Sequence, residues 1–346
     1  MALALSIACP SAPSWAQANS TAAPLRLRIV GGLATINQFT RQEEPFWTRT
    51  LPALTGGKVQ AEIVPFDRAG IRGQDMVRLL QQGVVPFGTA LLSLSLTQDA
   101  IVAAPDLAGL NPDMATLRRT IAAYRPLLTT QLRERHGLEL LAVYAYPAQV
   151  VFCKQAFTSL GDLAKRRVRV SSVTQADLIE ALGGTAVFVP FADMLSQMRA
   201  GTLDCAITGT MSGNTVGLHE VTSHLHPLAI NWGVSLFLAN RTAWAALPPE
   251  LRQLLNQQLP VLEQAIWTDA DRETGEGIAC NTGAAPCLSG HKGKMTVVKT
   301  TPADAQRLRD LLSSTVLPRW VARCGPRCAE AWNDTLAPIV GVRATP

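Results

Sequence analysis

The chain has 346 residues, of which 47% are hydrophobic and 16% charged, with a formal net charge of +5. That length exceeds what one hydrophobic core usually carries and predicts two lobes, each with its own core. No run of five or more basic residues occurs, so nucleic acid is a poor partner and a small anion a better one.

Residues 1–18, MALALSIACPSAPSWAQA, pair a short apolar stretch with small residues at Ser14, Ala16 and Ala18, the form of a secretory signal cleaved after Ala16 or Ala18. The usual positive n-region is missing. Cys9 has no leucine three residues before it, which argues against a lipid anchor. No later segment holds eighteen uninterrupted apolar residues, so a soluble mature protein is expected.

LRLRIVGG then reads as a strand, FTRQEEPFWTRTLPALTGG has helical spacing, and KVQAEIVPF is a second strand with Val59, Ala61 and Ile63 on one face. GQDMVRLLQQG is a short helix, VPFGTALLSL a third strand, and a helical region covers about Ala115 to His136. The segment LELLAVYAYPAQVVFC is too long and too apolar for one ordinary strand and is read as a crossing between lobes. From Arg166 a strand carrying Arg169, a Ser/Thr loop, a helix, the strand TAVFVP, a second helix and a third strand form a parallel βαβαβ unit. LHPLAINWGVSLFLAN is a second long apolar crossing. A long helix follows from PPELR, with Leu251, Leu254, Leu255, Leu259, Leu262 and Ile266 on one face and a kink expected at Pro260.

Arg169 ends its strand just before Ser171, Ser172 and Thr174, which can cap the next helix. A helix N-terminus and an arginine fork together suit a carboxylate. The alternative is a salt bridge to Asp177 or Asp204. In PFDRAGIRGQDM, Phe66, Asp67, Arg68 and Arg72 follow a strand end and are candidate cleft contacts; so are Tyr146 and Trp232 in the crossings, where core packing competes. GTMSGN reads as a polar loop offering Thr208, Thr210, Ser212 and Asn214 as hydrogen-bonding groups. Ser212 has Thr210 and Asn214, not glycines, two residues to either side, so it fails the nucleophile-elbow pattern. In HEVTSHLH, His219 and His224 are five apart and do not converge on a helix, so a metal site is not predicted. No Walker loop or dinucleotide fingerprint occurs, and no cofactor is expected.

Six cysteines remain after the signal. Cys280 with Cys287 and Cys324 with Cys328 are spaced as local disulfides, and neither pair has the two-residue spacing of zinc knuckles. Cys153 and Cys205 lie in apolar strand-like runs and read as buried free thiols.

The triplet Arg167, Val168, Arg169, with ALGG, AGTLDCAI and NWGVSLFLAN, resembles the periplasmic substrate-binding subunits of tripartite ATP-independent periplasmic (TRAP) transporters over nearly the whole mature chain. The resemblance implies a two-lobed α/β binding protein with crossing strands and a long bracing helix. Lobe one would hold 25–147 plus about 236–270, and lobe two 148–235 plus about 276–346. It also implies a periplasmic monomer without catalysis, with Arg169 on the substrate carboxylate and delivery to membrane permease subunits. Where many members place a ligand-binding asparagine, this chain has Ile207, Thr208 and Gly209, so no known substrate carries over. A secreted α/β hydrolase, or a binding protein serving a sensor kinase, are the alternatives.

Overall fold

The computed structural model describes residues 23–92 and 99–345, so the signal-sequence reading falls outside the described residues. The strands are β1 (Leu25–Gly31), β2 (Val59–Pro65), β3 (Phe87–Leu91), β4 (Leu138–Tyr144), β5 (Gln149–Cys153), β6 (Arg167–Val170), β7 (Thr185–Phe188), β8 (Cys205–Gly209), β9 (His224–Asn231), β10 (Ser235–Asn240) and β11 (Thr296–Val297). The α-helices are α1 (Leu51–Leu54), α2 (Met76–Gln81), α3 (Met114–His136), α4 (Val173–Ala181), α5 (Met194–Arg199), α6 (Thr210–Thr215), α7 (Arg241–Ala245), α8 (Pro249–Thr282), α9 (Pro302–Leu311), α10 (Leu317–Cys324), α11 (Pro326–Thr335) and α12 (Ala337–Val340). Gln38–Glu43 and Phe46–Thr50 are π-helical turns leading into α1.

Two sheets result. The first runs β2-β1-β3-β10-β4 and the second β11-β9-β5-β8-β6-β7. Each long apolar segment is two strands, one in each sheet. β4 continues into β5 through Ala145–Ala148, and β9 continues into β10 through Trp232–Val234. The two crossings run antiparallel beside one another: Tyr144 opposes Ser235 in the first sheet and Gln149 opposes Asn231 in the second.

The crossing at 231–234 is stapled by Asp106. Its buried carboxylate accepts from Asn231 Nδ2 at 3.1 Å, the Trp232 amide at 2.9 Å and the Val234 amide at 3.1 Å. Burial outweighs these donors and lifts its pKa to about 6.

Helix α8 begins with Pro249 in its first turn, continues through Pro260 and stops at Gly283, whose φ of 80° is the left-handed cap geometry. Leu251, Leu255, Leu259, Leu262 and Ile266 pack on Leu27, Ile29, Phe87 and Phe237 of the first sheet. Further along, Trp267 Nε1 donates to the Val143 carbonyl at 2.7 Å, and the Ala148 amide donates to Thr274 Oγ1 at 3.0 Å. The helix then meets α6 so closely that a Cβ at Gly277 would lie 2.4 Å from the Met211 nitrogen. It therefore braces the first sheet, one crossing and an element of the second sheet. The C-terminal helices also touch both sides, through Trp320 Nε1 to the Ala100 carbonyl and Arg323 to Asp177.

Two sequence readings are corrected. Cys153 and Cys205 are not free thiols but a disulfide, with Cα atoms 4.1 Å apart. They sit directly opposite each other on antiparallel β5 and β8, and the close pairs of such a ladder bring side chains within reach. The stretch GTMSGN is not a loop: Thr210–Thr215 forms α6, its Gly213 fitting against Phe152 and Thr208, where a Cβ would lie within about 3 Å of both. The pairs Cys280–Cys287 and Cys324–Cys328 are also bridged.

Candidate functional site

A cavity of about 560 Å³ opens between the two sheets. The first sheet supplies Leu33, Leu91 and the segments Phe66–Asp67 and Ile71–Gln74; the crossings supply Tyr146, Gln149 and Gly233; the second sheet supplies Arg169–Ser171, Phe188–Ala192, Thr208 and, from α6, Ser212. Most of these residues follow the carboxyl ends of parallel strands, where open α/β sheets leave a crevice for ligands.

Arg169 is placed by β6, which pairs in parallel with β7 and β8. Its side chain is 4% exposed. Nε donates to the Val189 carbonyl at 2.9 Å and Nη1 to the Ile207 carbonyl at 2.8 Å, which leaves Nη2 without a protein acceptor among the described residues. The acids expected to neutralise it are engaged elsewhere. Asp204 is bonded to Arg167, and Asp177 lies against Arg319 and Arg323. Burial without a counter-charge depresses the Arg169 pKa to about 10, so the guanidinium stays charged at neutral pH at a cost in solvation. An anion entering this cavity would supply the missing partner.

The next turn is prepared for that role. Ser172 caps α4 by accepting from the Gln175 amide at 3.1 Å, and the Ser171 amide donates to Gln175 Oε1 at 2.8 Å. Gln175 Nε2 donates in turn to Asn231 Oδ1 at 2.7 Å, linking the Arg169 loop to the crossing held by Asp106.

Of the other residues singled out from sequence, Phe66, Asp67, Arg72, Tyr146, Thr208 and Ser212 line the cavity. Thr210 is buried, its hydroxyl donating to the Glu273 carbonyl of α8 at 3.1 Å. Arg68 is exposed in the turn after β2 and lies outside the lining. Trp232 is packed in the core, its Nε1 donating to the Asn111 carbonyl at 2.9 Å. Asn214 points to the opposite side of α6, where it donates to the His291 carbonyl and accepts from the His291 amide, both at 2.7 Å. It clamps the loop after Cys287 and not the cavity. Among the described residues no cluster of His, Cys, Asp or Glu has the arrangement to hold a metal.

Sequence reasoning missed Gln149 and the apolar run Phe188–Ala192. The available signal for Gln149 was a single amide heading the otherwise apolar QVVFC strand.

Two sheets joined by paired crossings, with a polar-floored crevice between them, define a two-lobed ligand-binding protein. The chain belongs to the bacterial extracellular solute-binding proteins of family 7, whose pattern matches residues 36–316, and this is a family of solute receptors and not of enzymes. Similar solved structures include a Bordetella pertussis extracytoplasmic solute receptor binding pyroglutamic acid, with a TM-score of 0.78 at 20% identity over 89% of this chain and 98% of that one. A TRAP periplasmic solute-binding protein from Desulfovibrio salexigens with bound orotic acid gives 0.77 at 17% identity over 91% and 99% of the two chains. One from Shewanella oneidensis with bound succinate gives 0.75 at 18% identity over 89% and 98%. Among curated proteins, the ectoine-binding periplasmic protein TeaA of Halomonas elongata is 26% identical over 126 residues, a match that spans 36% of this chain and only 37% of that relative.

Proposed function

We propose that this receptor captures one small organic carboxylate between its lobes in the periplasm and delivers it to the membrane permease subunits of a TRAP transporter. Residues 1–18 act as the export signal, and the mature protein works as a monomer. Lobe one comprises 25–147 and about 236–270, lobe two 148–235 and about 276–346. The observation that carries the reading is Arg169, a buried guanidinium that lines the cavity and has, among the described residues, one nitrogen without an acceptor and no carboxylate of its own. The relatives found with pyroglutamate, orotic acid and succinate agree with an acidic solute.

Capture needs no acid, base or nucleophile. A solute that touches Phe66 and Leu33 on one side and Arg169 and Thr208 on the other binds the closed arrangement better than the open one, and that difference in affinity drives closure. At about 100 times its dissociation constant such a solute stabilises the fold by about 2.7 kcal/mol.

Small molecules released on gentle denaturation of the purified protein, identified by mass spectrometry, test the reading. A carboxylic acid near one equivalent per chain is expected; a retained solute with no acidic group would overturn it.

A further inference from the structure

The cavity holds a second buried polar side chain with unfilled hydrogen-bonding capacity, and it is neutral. Gln149 is 9% exposed, lines the cavity at the head of β5, and its side-chain amide meets no donor or acceptor among the described residues. Gly233, at φ 65°, lets the other crossing close over it, since a Cβ there would lie 3.0 Å from Gln149 Nε2. The buried hydroxyls of Thr208 and Ser212 likewise lack partners. Polar groups that line a cavity without a protein partner lose their hydrogen bonds to water when a solute fills it, so these groups are complementary to a solute that supplies donors or acceptors.

The charge inside is a single one. Besides Arg169, the charged residues of the lining are Asp67 and Arg72; both lie toward solvent, and Arg72 is paired with Asp75 at 2.8 Å. A second carboxylate would find no free cation in the interior among the described residues. The rest of the lining adds Gln74, Ser171 and Tyr146 and is otherwise apolar, with Ile71, Leu91, Val170 and Phe191, and with Phe188 left 59% exposed.

We infer that the solute is a monocarboxylate with a neutral hydrogen-bonding group, a hydroxyl, carbonyl or amide, next to its carboxylate and an otherwise apolar body, and that Gln149 reads the neutral group. This rests on the reading of Arg169 above and narrows it. Dicarboxylates are excluded because their second charge is buried unpaired.

The test is calorimetric titration with three compounds of one shape: 2-hydroxy-4-methylpentanoate, 4-methylpentanoate, which lacks the hydroxyl, and 2-isopropylsuccinate, which adds a carboxylate. The hydroxy acid is expected to bind about a hundredfold more tightly than the deoxy acid, because a site built for a hydroxyl rejects its absence. The dicarboxylate should be weaker by about as much. Gln149→Leu should bring the first two acids within about threefold of each other by removing the unmatched amide. Gln149→Arg should reverse the order in favour of the dicarboxylate. Gln149→Glu, nearly isosteric, should weaken the hydroxy acid about tenfold or more through like charge. An unchanged ratio in a folded Gln149→Leu, a dicarboxylate that matches the hydroxy acid in the parent, or no binding of any of the three at millimolar concentration overturns the inference. Arg169→Ala should abolish binding of all three; if it does not, the carboxylate reading itself fails, a different outcome from any change at Gln149.

Discussion

Replacing Arg169 by methionine should separate binding from stability, because the arginine is held charged where no counter-charge exists. Its depressed pKa, about 10, corresponds to about 3 kcal/mol of penalty on the charged form in the ligand-free fold. Methionine keeps much of the stem volume and removes that penalty, but it orphans the Val189 and Ile207 carbonyls, at about 1 kcal/mol each. The balance predicts a ligand-free variant as stable as the parent or more stable by about 1 kcal/mol. Binding should move the other way, with a loss on the order of 2 to 5 kcal/mol as a buried carboxylate loses its charged partner. Lysine should recover only part of this, since it keeps the charge without the planar fork. Urea unfolding of protein stripped of ligand, with calorimetric titration of the retained solute, measures both quantities. A ligand-free Arg169→Met destabilised by more than about 2 kcal/mol would mean that the arginine is a strut between β7 and β8 and not an anion site.

Three further outcomes follow from the packing. Because the folded pKa of Asp106, about 6, lies above its unfolded value near 4, the group's contribution is fully present below about pH 4 and is lost as pH rises through 6. The stability of the parent relative to Asp106→Asn should therefore fall by about 2 kcal/mol between pH 4 and pH 7 in urea melts, and a flat difference would contradict the burial argument. Gly277→Ala pushes a methyl onto the backbone of Met211 and should cost about 1 to 3 kcal/mol, read as a lower melting temperature; an unchanged melting temperature would show that α8 and α6 are not in close contact. Thiol counting on denatured, unreduced mature protein should find none of the six cysteines free, and Cys153→Ser with Cys205→Ser should cost about 4 kcal/mol for the 52-residue separation under the chain-entropy model; two free thiols would contradict the β5–β8 bridge.

Much of the fold was legible because periodicity survives in single elements. Alternation placed β1, β2 and β6, and the spacing of Leu251 to Ile266 placed α8 with the face it buries. The two over-long apolar segments announced the crossings, since each is a pair of strands buried in two different sheets. What stayed hidden were relations between distant strands. Cys153 meets Cys205 only through the β5–β8 register, which no local pattern encodes. Asn214 and Thr210 looked like ligand groups because a Gly/Ser/Thr run reads as a loop; packing of α8 against Gly213-bearing α6 turns them to its far side. Trp232 was ambiguous from composition and was settled by one carbonyl, that of Asn111. Arg169 could be named from sequence, whereas its missing counter-charge became visible only once Asp177 and Asp204 were seen with other arginines.

The most direct test is a crystal structure of the protein with the solute it retains on purification. A carboxylate oxygen is expected within hydrogen-bonding distance of Arg169 Nη2, with a neutral polar atom on the Gln149 amide and the apolar body against Phe188 and Phe191. A solute bound with its carboxylate away from Arg169, or outside the crevice between the two sheets, would contradict it.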